Sequence, residues 1–185
     1  MIVKSKKAQV WIETVIYTLI GLILIAIVLA YATPKIQESQ DNLLVGQSID
    51  AMQVFAEKID ETAAAGIGTR SIVSLTIKKG ELFIPDADGG ITLNLAGIRK
   101  LYSEPNMKLK FDKVTVISTE GTKSHQVQIL IKSPYLINFC NIDGCSINSK
   151  KFSAAAIPYR FSIEKALVDD ADPNKGIKIN IREVS

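Results

Sequence analysis

The side chains most capable of chemistry are few. Cys140 and Cys145 are the only thiols and flank Asn141-Ile142-Asp143-Gly144. The Asp143-Gly144 turn predicts Cα atoms within the roughly 4.4–6.8 Å that a disulfide needs. The other uses of such a pair fit less well: a two-cysteine metal site lacks further ligands nearby, and redox motifs usually separate their thiols by two residues rather than four. His125, the single histidine, ends Glu120-Gly121-Thr122-Lys123-Ser124 and reads as a solvated hairpin-loop residue. Nucleophilic catalysis would need it beside an activated hydroxyl or thiol, and no Gly-x-Ser-x-Gly elbow accompanies it. Carboxylates for calcium cluster at Asp86-Ala87-Asp88-Gly89-Gly90 and over residues 169–176. The second cluster imitates a calcium loop at Asp170, Asp172 and Asn174. However, Pro173 intrudes, Lys175 takes the glycine position, and the terminal Glu is missing. Both clusters also have ordinary turn composition. No phosphate loop, dinucleotide fingerprint or Asn-x-Ser/Thr acceptor occurs. The expectation is a protein that is not an enzyme and that uses no cofactor and no metal.

The chemically odd residue is Glu13, because it borders a stretch without charge. Residues 14–33 contain no Asp, Glu, Lys or Arg, and at about 1.5 Å per residue they span roughly 30 Å, the thickness of a bilayer core. Leu19, Leu22, Ile23 and Ile27 share this run with other aliphatics on every side, a pattern suited to lipid or a fully buried bundle. A carboxylate there needs a cation or headgroup depth, where Trp11 and Tyr17 would also sit. Net charge is +3, and Lys4, Lys6 and Lys7 supply that excess ahead of the run. Nothing after it is basic enough to displace counterions from phosphates, so no nucleic-acid partner is expected. Basic residues tend to stay cytoplasmic, which predicts a membrane-anchored precursor with its bulk outside the cell. A secretory signal would have a shorter apolar region followed by a small-residue cut site.

The segment Lys6-Lys7-Ala8-Gln9-Val10-Trp11-Ile12-Glu13, leading directly into the apolar run, resembles the class III signal peptide of archaeal type IV pilins. In that family a basic leader is removed ahead of the helix, and the helix stays in the mature subunit. The resemblance places scission between Ala8 and Gln9, with Glu13 as the fifth mature residue; Ala8 stands where Gly is usual and Trp11 where Ser is common. It implies an assembly role for Glu13, whose charge a new amine on Gln9 of a neighbouring subunit would neutralise, making a buried charge a register device. It also implies a helical homopolymer packed through Leu19, Leu22, Ile23 and Ile27. The implied partners are the membrane before assembly, a prepilin-peptidase-like processing enzyme and an assembly platform. The product would be an extracellular surface filament with adhesion among its uses. The alternative is an uncleaved single-pass surface protein with a β-rich binding domain.

The remaining chain must present that helix. Pro34 predicts a kink or the membrane exit. Val45, Ile49, Met52, Ala56, Ile59 and Ala63 recur at helical spacing, and Gly66 and Gly68 are plausible stops. Thereafter the period changes to two. Strands are predicted at 73–77, 82–84, 91–95, 107–111, 114–118, 127–131, 157–163 and 177–181. The class is α+β: a long N-terminal hydrophobic helix, then an antiparallel β-rich sheet or sandwich that the helix over 45–63 can cover. The organisation expected is a basic leader at 1–8, a transmembrane or filament-core helix with amphipathic extension at 9–66, and an extracellular head at 67–185.

Overall fold

Alternating burial, not strand propensity alone, sets the architecture after residue 70. Among the described residues of the computed structural model, one helix, α1 (Lys6–Ala64), precedes eleven strands. They are β1 (Arg70–Leu75), β2 (Glu81–Ile84), β3 (Ile91–Ile98), β4 (Lys108–Phe111), β5 (Val114–Thr119), β6 (His125–Ile131), β7 (Leu136–Asn141), β8 (Gly144–Ser146), β9 (Lys150–Ser153), β10 (Tyr159–Ala166) and β11 (Lys178–Glu183). The structure describes residues 6–85, 90–141, 144–146, 149–166 and 176–184, with side chains from Trp11 onward except that of Ser146. The chain forms two units, Met1–Gln40 and Asp41–Ser185. The part of α1 from Asp41 onward therefore belongs with the strands.

Within the second unit the strands make two sheets, ordered β1-β10-β11-β7-β8 and β4-β5-β6-β3-β2-β9. The α+β class and the β-rich head are as predicted. One pair departs from the antiparallel rule: β11 runs parallel to β7, with Ile179 opposite Ile137. Three strands were not predicted. Leu136–Asn141 is buried at four successive positions, so it lacks the alternation that marks a half-exposed strand. The other two, β8 and β9, have three and four residues, too short for a period to register. The predicted strand at 157–163 begins instead at Tyr159, after Pro158. Ile77, placed in a strand by its spacing, lies beyond β1 yet remains buried.

One core joins α1 to the inner faces of both sheets. Val45, Ile49, Met52, Ala56, Ile59 and Ala63 are all buried, as their spacing predicts. Phe55 is also fully buried, and its ring meets Phe161 of β10 edge-on at 5.7 Å. Phe161 meets Phe152 of β9 at 5.1 Å, and Phe152 meets Phe139 of β7 at 5.5 Å. This aromatic chain passes from helix to first sheet, to second sheet, and back to the first.

Polar latches fix the helix over that core. The Asp41 carboxylate accepts from the Arg99 backbone N–H at 2.9 Å and meets Lys79 Nζ at 3.4 Å. Lys79 also donates to the Gly97 carbonyl at 2.6 Å. At the far end, the last carbonyls of a helix lack intrahelical donors and carry partial negative charge. Lys165 of β10 supplies the missing donor, giving hydrogen bonds to the carbonyls of Ala63 at 2.6 Å and Ala65 at 2.9 Å. The predicted glycine stop is Gly68, whose φ of 82° is left-handed; Gly66 does not take that conformation. The chain is thus turned into β1 by Gly68 and held by a cation from another strand.

Candidate functional site

In the first unit α1 runs through Pro34 without ending. Pro34 has no N–H to give the carbonyl one turn back. Beside that gap the Thr33 hydroxyl donates to the Leu29 carbonyl at 2.7 Å, the local back-bond typical of a bent helix. The helix is long and apolar enough to cross a membrane.

Twelve aliphatic side chains between Ile12 and Leu29 are each 48–65 % exposed, and Trp11 and Tyr31 reach 74 %. Leu19, Leu22, Ile23 and Ile27 are among them, offset by three or four residues and so on one helical face. Completing the burial of twelve half-exposed aliphatics is worth on the order of 10–20 kcal/mol, against a whole-domain stability of about 5–15 kcal/mol. A bare helix of this kind in water would be a severe liability, and its length and composition are those of a segment able to cross a membrane.

Glu13 lies on the exposed surface of α1, and no described side chain bonds to its carboxylate. Gln9 precedes it by one helical turn, and the Ala8–Gln9 peptide lies within the helical backbone. Within one chain, the structure therefore offers Glu13 no cation among the described side chains.

The other sequence candidates fall elsewhere. Cys140 and Cys145 form a disulfide and face one another directly across β7 and β8, with Cα atoms 3.9 Å apart. That is closer than the turn argument predicted, because the two residues are cross-strand partners. His125 is not a loop residue: it opens β6, pairs with Ile98 and is half-buried, with Nδ1 buried and lacking a hydrogen-bond partner among the described residues. The hairpin turns earlier, over residues 120–124. The acidic run 86–89 and most of the run 169–176 lie outside the described residues. Among the described residues, no group of three His, Cys, Asp or Glu could hold a metal ion.

Sequence reasoning missed a second set of charged contacts. Asp60 on α1 pairs with Lys113, in the turn between β4 and β5, at 2.6 Å. This hydrogen bond and charge hold Lys113 above the ordinary lysine value, outweighing desolvation. Burial raises Tyr135 above the ordinary phenol value, and the charge and hydrogen bond of Asp60 add to the effect. These groups satisfy one another and act as a latch between helix and hairpin. Asp60 is one acid among several on the helix, and no spacing rule could have paired it with Lys113.

No protein-family model matches the chain, and no curated protein or solved structure matches it either.

Proposed function

We propose that this chain is a structural subunit of an archaeal type IV pilus-like surface filament. The single observation carrying this reading is the naked helical surface around Leu19, Leu22, Ile23 and Ile27, on a chain whose β-rich unit has its own complete core. Lipid would cover that surface in the precursor, and identical helices would cover it in the polymer. Contacts between different faces of identical subunits generate a helix when the rotation does not close a ring. A positive amine on Gln9, released by cutting after Ala8, would then meet Glu13 of a neighbour. The head would face solvent, outside the cell.

The test is the N-terminal sequence of the mature protein, together with electron microscopy of cell-surface filaments. The proposal requires a start at Gln9 or its pyroglutamate form, in filaments that an antibody to the head decorates. A chain starting at Met1 with no filaments would identify a single-pass surface anchor instead. A start beyond Pro34 would remove the helix and the proposal with it.

A further inference from the structure

We propose that the end of the second unit where α1 enters it is a docking surface for an anionic lipid bilayer, with Lys78, Arg99 and Lys100 as its contact charges. Two segments meet residues 41–47 of α1 there. Lys79, between β1 and β2, reaches the Asp41 carboxylate at 3.4 Å and the Gly97 carbonyl at 2.6 Å. Its neighbour Lys78 donates to the Gln47 side-chain carbonyl at 2.8 Å. Just after β3, the Arg99 backbone N–H donates to Asp41 at 2.9 Å, which sets Arg99 and Lys100 beside the same helical turn.

Charge is unequally shared in this cluster. The Asp41 side chain is only 14 % exposed and is already satisfied by Lys79 and the Arg99 N–H. Lys78, Arg99 and Lys100 are exposed, and none of them forms an ion pair with a described residue; the partner of Lys78 is a neutral amide. The adjoining hairpin tip brings one acid and one base, Glu120 and Lys123, beside Gly97. With Glu104 also counted, whose neighbour Ser103 bonds to Ser118 of β5 at 2.9 Å, this end keeps a positive surplus.

The partner follows from where the chain places that surplus. Residues 14–33 hold no charged side chain, and α1 continues unbroken from them into the second unit. Asp41 comes eight residues after Thr33, so about 12 Å of helix rise separates the two. The polar layer of a bilayer occupies the first ~5–7 Å outside the hydrocarbon, and its charge is felt for about 8 Å more at physiological salt. Lysine and arginine carry their charges on long stems that reach towards headgroups. In the intervening stretch Lys35 and Glu38 neutralise one another at 3.2 Å. The rim therefore carries the first unbalanced charge beyond the apolar run, at a depth where each basic residue strengthens attraction to anionic lipid roughly fivefold. Docking rests on the membrane-anchored state, common to the filament precursor and the single-pass anchor, and needs no assembly.

The test uses the full chain in lipid nanodiscs of phosphatidylcholine, with and without about one-third phosphatidylglycerol. Quenching of Trp11, the single tryptophan, by brominated lipid reports insertion of the helix. Acetylation by a water-soluble ester, read by mass spectrometry, then reports access to Lys78 and Lys100, with exposed Lys132 beyond the other end of β6 as the control. The expected result is acetylation of Lys78 and Lys100 slowed roughly threefold or more by the anionic lipid, with Lys132 unchanged. Salt near 1 M, where screening shortens to about 3 Å, should remove that protection. Arg99→Gln leaves the backbone contact to Asp41 in place and should reverse most of the protection, because one charge is worth roughly fivefold in lipid affinity. Equal rates in the two lipids, equal slowing of Lys132, protection that survives high salt, or an unchanged Arg99→Gln variant overturns the proposal. Failure of Trp11 quenching would instead remove the membrane reading itself, and docking with it.

Discussion

Replacing Phe55 by alanine isolates the junction between α1 and the two sheets. The Phe55 side chain is fully buried and lies edge-on to Phe161, the ring that continues to Phe152. Deleting a buried Phe costs about 3–5 kcal/mol, from lost transfer energy and the cavity left behind. Better helix propensity for Ala returns only about 0.5 kcal/mol of this. For a unit of this size, a loss near 3–4 kcal/mol lowers Tm by roughly 10–15 °C. The neighbouring residue is the control: Val54 is 49 % exposed, so Val54→Ala should stay within about 0.5 kcal/mol. Hydrogen exchange at the Phe161 and Ile163 amides reads the loss locally, alongside thermal unfolding of the full chain in detergent. Equal effects from the two substitutions, or a loss below about 1 kcal/mol for Phe55→Ala, would show that this half of α1 is not part of the head core and refute the reasoning.

Three further outcomes follow from separate parts of the molecule. Glu13→Ala should leave the protein folded and membrane-inserted but abolish or shorten filaments; normal filaments by electron microscopy would count against the register role. Lys113 and Tyr135 both hold their protons more tightly when folded, so the stability they add is present below about pH 10 and lost as pH rises through their folded values. Asp60→Asn should make that alkaline decline shallower in pH-dependent urea unfolding, and an unchanged slope would contradict the latch. Reducing Cys140–Cys145, which closes a loop with a sequence separation of 5, should cost about 2 kcal/mol on the loop-entropy relation. Urea midpoints with and without reductant provide the check.

The head's strands were legible where one face is wet. In β3, β5 and β6, apolar residues point inward and Asn94, Gln126 and Gln128 outward, so the period of two is visible. Strand β7 hid because Ile137, Asn138, Phe139 and Cys140 are all buried. Phe55 was overlooked for a different reason: it lies three residues after Met52 and four before Ile59 and so fits the stripe, but Ala56 already filled that turn of the pattern, and only the position of Phe161 makes Phe55 central.

Local patterning determined the uncharged run before Pro34, the amphipathic stretch from Val45, the change of period after Gly68, and the nearness of Cys140 to Cys145. Each depends on residues close along the chain, where backbone geometry alone fixes which side chains share a face. Tertiary structure decided the rest. It set Lys165 against the helix end and Lys113 against Asp60, and ran β11 parallel to β7. Those neighbours are far apart in sequence, and folding selects them by closing a shared core, a condition no short stretch of residues contains.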